Sequence, residues 1–119
     1  IKNKKVLLIG VSYREDTNDT RHTSAEKVYN FLKKMKCRIS FYDPIVDYWS
    51  YINSYSIKKS NLKNFDVYVH LVKHKLFKNL KIDYKKKSLI LDLNNTLVGM
   101  KKKRIKESKK FKSYFIGTN

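Results

Sequence analysis

The apolar run Val6-Leu7-Leu8-Ile9 empties into a long polar stretch, Gly10-Val11-Ser12-Tyr13-Arg14-Glu15-Asp16-Thr17-Asn18-Asp19-Thr20-Arg21, before a helical pattern begins near Ser24. That succession most constrains the fold. A short run of apolar residues with no alternation suits a strand buried on both faces, as in parallel sheets. A loop that leaves such a strand and enters a helix lies at the carboxyl edge of the sheet, where open α/β sheets bind ligands. A connection that only joins strand to helix needs about 2–6 residues; this one is longer. Its two arginines, with threonines, a serine and a tyrosine, suit a phosphorylated, sugar-bearing ligand, because guanidinium groups and hydroxyls bond phosphate and sugar oxygens well.

The remaining chain repeats the alternation. Ala25, Val28, Tyr29, Leu32 and Met35 recur at helical spacing and form one apolar stripe, a core face. Thr23-x-x-Glu26 has the form of a capping box at the start of that helix. Arg38–Tyr42 is expected to be the second strand, stopped at Asp43-Pro44, where proline lacks a donor for the ladder. Val46, Trp49 and Ile52 hint at a short helix within 45–60, and Asn61–Phe65 at one helical turn. Val67–Val72 reads as the third strand, with a short helix over Lys75–Leu80. Ser88–Leu93 is the fourth strand, Lys101–Lys110 a charged helix and Lys112–Ile116 a fifth strand. The expected fold class is α/β: a Rossmann-like three-layer domain with a mostly parallel sheet of about five or six strands and right-handed crossovers. With 119 residues, the chain is expected to be a single domain over 1–119.

Composition excludes several classes. The apolar run at the start is far shorter than the roughly 20 residues of a membrane span, and no small-residue cleavage site follows it. No membrane partner and a cytoplasmic location are therefore the expectation. Cys37 is the one cysteine, so neither an intrachain disulfide nor a cysteine metal cluster can form. His22, His70 and His74 have no zinc spacing, and no metal is expected. The net charge of +18 comes mostly from lysine, with 4 arginines among 28 basic residues, beside abundant Asn, Ile and Tyr. All are residues with A- and T-rich codons, so genome composition accounts for the bias. A nucleic-acid reader would cluster arginine for bidentate contacts, and no specific nucleic-acid partner is expected.

The polar loop also carries a family pattern. Gly10-x-x-Tyr13-Arg14-x-Asp16-Thr17-x-Asp19-x-Arg21 resembles the G-x-x-[YF]-K-x-[DN]-T-x-D-x-R signature that opens the C-terminal, UDP-binding domain of UDP-glucose/GDP-mannose dehydrogenases. Tyr42-Asp43-Pro44, the segment from Asp66 to His74 and Phe77, Leu89-Ile90-Leu91-Asp92-x-x-Asn95 and Tyr114-Phe115-Ile116-Gly117 resemble further family segments in the same order. The resemblance runs from about residue 4 to 117.

It implies that Tyr13, Arg14 and Asn94 face the nucleotide sugar and that Arg21 reaches toward NAD across an interdomain cleft. Asp16, Thr17 and Asp19 are expected to shape the loop, since their side chains bond nearby backbone amides. His74 is read as a polar residue at a strand end. The pattern is broken twice: Arg14 replaces the usual lysine, and Asn94 stands where the family places an arginine. No catalytic residue is expected in this chain, because Cys37 lacks the glycine-rich surroundings of the family's nucleophile. The fingerprint G-x-G-x-x-G is absent too, so NAD would be held mainly by an N-terminal domain that this chain lacks.

The reading is thus a nucleotide-sugar-binding domain, a fragment of a homodimeric NAD-dependent dehydrogenase that oxidises a sugar C6 alcohol to a uronic acid for surface polysaccharide. The rival reading is a non-catalytic basic Rossmann-like module for polyanions or partner proteins.

Overall fold

The computed structural model describes residues 2–12, 17–18, 20, 24–72, 74–77, 80–84 and 87–93. Four strands form one wholly parallel sheet: β1 (Lys5–Ile9), β2 (Arg38–Tyr42), β5 (Val67–His70) and β6 (Leu89–Asp92). Their order across the sheet is β2-β1-β5-β6. Helix α1 (Ser24–Lys34) links β1 to β2, and a small antiparallel pair, β3 (Tyr48–Trp49) with β4 (Ser54–Tyr55), follows β2. The domain is α/β and Rossmann-like, as expected. Among the described residues the main sheet has four strands, and the expected helix at 101–110 and strand at 112–116 lie outside them.

The apolar run of β1 earns its place at the centre. Val6, Leu7, Leu8 and Ile9 are all fully buried. Strand residues alternate between faces, and the two cores divide accordingly. Val6 and Leu8 join Val67, Val69, Leu91, Ala25, Val28 and Leu32 on the α1 side. Leu7 and Ile9 join Tyr68, Leu62 and Phe65 on the other. That second face is covered by the segments around Ile57–Phe65 and Phe77–Tyr84, which contain 3-10 turns at Lys59–Asn61 and Lys75–Phe77. The short helices expected over Asn61–Phe65 and Lys75–Leu80 are thus single tight turns, the first displaced toward the N-terminus.

The helical hint in 45–60 was misleading. Val46, Trp49 and Ile52 do share a side, but a turn brings them together: the Ile52 amide donates to the Trp49 carbonyl and the Asn53 amide to that of Ser50, with Asn53 at φ 53°. Spacing of three arises in a turn as well as in a helix, so periodicity over one repeat cannot separate them. Trp49 is fully buried, edge-on to Tyr29 and Phe41 and stacked on Tyr51, and its Nε1 has no hydrogen-bond partner among the described residues.

Helix α1 buries Ala25, Val28 and Leu32, with Tyr29 and Met35 partly buried beside them, and so presents the predicted stripe. The capping residue Thr23 lies outside the described residues. At the other end the Cys37 amide donates to the Leu32 carbonyl and the Lys36 amide to that of Lys33, while Lys36 sits at φ 59°. This is a Schellman closure, and it turns Cys37 inward into the core cluster that holds Leu32. Lysine in the left-handed region strains against its own Cβ, by roughly 1–2 kcal/mol. Glycine would relieve that strain but lose about 0.4–1 kcal/mol through a freer unfolded chain. Lys36→Gly should therefore stabilise the fold by about 0.5–1 kcal/mol, read as a higher urea midpoint with an unchanged slope.

Candidate functional site

The chain passes from β2, at one edge, over β1 to β5 on the other side, so the connections diverge between β1 and β5. That divergence is the switch point at which open α/β sheets form their ligand crevice. The residues leaving these strands are Gly10-Val11-Ser12 after β1 and Leu71-Val72 after β5. Gly10 is required here on two grounds. Its φ is +82°, and a Cβ would lie 2.9 Å from both the Cβ and the carbonyl oxygen of Val72. The two exits cross too closely for any side chain at this position.

Three strand exits converge on one carboxylate. Asp43, directly after β2, is 3% exposed. Its Oδ1 accepts the amides of Ile45 and Val46, at 2.9 and 3.1 Å. Its Oδ2 accepts the Val11 amide from the β1 exit at 2.9 Å and His74 Nε2 from beyond β5 at 3.0 Å. Because a carboxylate can only accept, His74 carries its proton on Nε2. Ser12 Oγ lies 3.2 Å from the same nitrogen. The Asp43 amide in turn donates to Ser56 Oγ at 3.0 Å, which attaches the hairpin side of the domain. Burial by itself would push the Asp43 carboxyl up. The His74 hydrogen bond, then the amides of Ile45 and Val11, outweigh it and hold the group below the ordinary carboxylate value.

Serine, histidine and aspartate together resemble a hydrolytic triad in composition only. In a triad the serine and the carboxylate occupy opposite ring nitrogens; here both meet Nε2. Ser12 is also 2% exposed, which leaves a substrate no approach. The arrangement is suited to holding loops rather than to moving protons.

A second polar group lies on the far face. Tyr42, Ile9, His70 and Asp92 are one cross-sheet row at the carboxyl edge. His70 Nε2 meets the Tyr84 hydroxyl at 2.9 Å. Burial pushes the imidazole pKa down to about 4, against the opposing pull of Asp92, so His70 is neutral near pH 7. Among the described residues no group of three His, Cys, Asp or Glu side chains could hold a metal ion. No helix among them is long and apolar enough to cross a membrane.

The predicted ligand residues Tyr13, Arg14, Arg21 and Asn94 lie outside the described residues, as do Asp16 and Asp19. Their described neighbours are informative. Ser12 precedes Tyr13 at the switch point, and Leu93 precedes Asn94 at the end of β6. Asp43, expected to terminate a strand, does so through its side chain, which closes a turn onto Ile45 and Val46. His74, expected at a strand end, lies four residues beyond β5 and is buried. The sequence reading missed that Ser12, Asp43 and His74 are one network. The available signal was a polar residue shortly after each of three parallel strands, which the sheet order places side by side.

The geometry agrees with comparisons to known proteins. Residues 7–99 match the model of the UDP-glucose/GDP-mannose dehydrogenase family, UDP binding domain. The chain belongs to this family. Similar proteins include the UDP-N-acetyl-D-mannosamine dehydrogenase of Methanococcus aeolicus, 33% identical over 105 residues that cover 82% of this chain and 23% of the relative. UDP-glucose 6-dehydrogenase 2 of Arabidopsis thaliana is 44% identical over 46 residues, covering 39% of this chain and 10% of the relative. Among solved structures, the UDP-N-acetyl-mannosamine dehydrogenase Cap5O from S. aureus superposes with a TM-score of 0.65 at 25% identity, over 84% of this chain and 24% of that one. The chain thus spans about a quarter of the length of the full dehydrogenases that it matches across most of its own residues.

Buried histidine makes the domain acid-sensitive in a defined window. Between the unfolded value of 6.5 and the folded value of about 4, the unfolded chain holds a proton on His70 that the folded chain does not. Stability is therefore full above pH 6.5 and declines as pH falls toward 4. From pH 7 to 5 the His70 contribution should drop by about 2 kcal/mol. Urea unfolding at the two pH values should show this difference shrinking in His70→Gln, which cannot titrate. Asp43 acts lower: its contribution persists above the unfolded value near 3.9 and is lost as pH falls through its depressed folded value.

Proposed function

We propose that this domain grips the nucleotide moiety of a UDP-sugar in an NAD-dependent nucleotide-sugar 6-dehydrogenase, which oxidises the sugar C6 alcohol to a uronic acid for surface polysaccharide. The single observation that supports it best is the junction at the switch point. The exit of β1, pinned by Asp43 and closed against Val72, leads directly into Tyr13-Arg14. The exit of β6 leads into Asn94. Ile9 and Asp92 end these strands in one row, two strand spacings or about 10 Å apart, a span suited to a nucleoside diphosphate held from both sides.

In this reading Arg14 neutralises phosphate, Tyr13 offers a ring and a hydroxyl, and Asn94 gives a neutral hydrogen bond. Arg21 faces NAD, which is bound mainly by another domain of a homodimeric enzyme. Residues 1–119 act as one UDP-binding unit, catalysis lies outside it, and the setting is the cytoplasm, in keeping with a sequence that holds a single cysteine, Cys37. The lysine-rich charge serves no specific nucleic-acid site. The rival reading, a non-catalytic basic module for polyanions or partner proteins, rests on charge alone.

Two measurements test the proposal. Calorimetry should show weak UDP binding by this chain, with Arg14→Ala weakening it and Asn94→Arg tightening it, each by about tenfold, because a charged hydrogen bond exceeds a neutral one by roughly 1 kcal/mol or more. Unchanged or weaker binding in Asn94→Arg would place the site elsewhere. With UDP-glucose and NAD, this chain alone should form no NADH above a protein-free control.

A further inference from the structure

We infer that Asp43 and His74 are positioning residues for the nucleotide grip: a buried carboxylate–imidazole pair that locks the β1 exit, residues 10–12, immediately before Tyr13 and Arg14 in the chain. The inference rests on the UDP-binding reading above but assigns a role to residues that make no contact with ligand in that reading.

The chemistry of the pair carries the argument. Asp43 could end β2 with Oδ1 alone, by closing the turn onto Ile45 and Val46. Its other oxygen is committed elsewhere, to the Val11 amide and to His74 Nε2. Val11 is two residues before Tyr13, and His74 comes from the opposite wall of the switch point. One atom therefore joins the two walls beyond the last backbone bonds of the sheet, Gly10 N–H to the Tyr42 carbonyl and Leu71 N–H to that of Ile9. Val11 and His74 are both almost wholly buried, so neither can exchange its contact for water without opening the edge. Gly10 permits the close crossing with Val72 but does not define it, since a positive-φ glycine is free on both sides. Asp43 adds a tie one residue further along, at the Val11 amide. The His74 ring also lies 5.3 Å from that of Phe77, tilted by 53°, and Phe77 packs in the opposite core with Tyr42 at 6.2 Å, so the imidazole has a packed neighbour as well as its carboxylate.

A loop that is in register only part of the time binds in proportion to that fraction. Asp43→Asn tests this, because it keeps the shape but turns one acceptor into a donor. Whichever way the amide faces, it opposes either Val11 N–H with His74 Nε2–H or the amides of Ile45 and Val46. His74→Gln retains an amide N–H near the place of Nε2; His74→Phe retains the ring and loses the donor. UDP affinity would be measured by calorimetry on this chain and its variants, at a temperature at which circular dichroism shows each one folded. Exchange of the Val11 amide would be followed by NMR.

The expected result is UDP binding by the wild-type chain, weakened about tenfold or more in Asp43→Asn and His74→Phe with faster Val11 exchange, and within about threefold of wild type in His74→Gln. A purely structural role would lower the melting temperature without this ordering of affinities. If Asp43→Asn does not fold, the His74 pair decides, since both keep the Asp43 turn. Folded Asp43→Asn or His74→Phe that binds UDP within about twofold of wild type overturns the inference alone. Absence of UDP binding by the wild-type chain overturns the proposed function, and the inference with it.

Discussion

A carboxylate removed from water is tolerable only where donors replace its hydration, and leaving one uncompensated costs several kcal/mol. At Asp43 the replacement comes from three backbone amides and an imidazole, drawn from the exits of three different strands. This requirement runs in both directions. The carboxylate stays ionised because the exits converge, and the exits are in turn held together by their bonds to the carboxylate. The carboxyl edge of the sheet, the part that distinguishes one Rossmann-like domain from another, is built around that single group.

Beneath it the sheet supplies rigidity of a plainer kind. β1 is apolar on both faces and central, so it is packed by α1 and the hairpin on one side and by a layer of loops on the other. A central strand packed on both faces cannot slip by one position without exchanging the side chains of those faces, and its exit is therefore well placed in space. Gly10 then brings the chain within van der Waals contact of Val72. The rigid strand, the close crossing and the buried pair all act on the β1 exit, residues 10–12.

The network also shows how similar residues serve different ends in one fold. Two histidines lie four apart on the same segment, yet His70 is neutral, buried in the far face and paired with Tyr84, whereas His74 donates to a carboxylate near α1's side of the edge.

Much of the architecture was legible in the residues. The apolar run of β1, the stripe on α1 and the strands at Arg38–Tyr42 and near Val67 and Leu89 follow from burial and spacing, because local periodicity reports which side of an element meets the core. The ordered family segments pointed to the family whose UDP binding domain matches residues 7–99. The hairpin at Tyr48–Tyr55 was not legible, since a turn can imitate one helical repeat. Nor was the joining of Ser12, Asp43 and His74, which stand 31 and 62 residues apart. Sequence determined that each strand would be followed by a polar residue. Only the strand order β2-β1-β5, a consequence of which faces could be buried together, decided that these residues would share one buried charge.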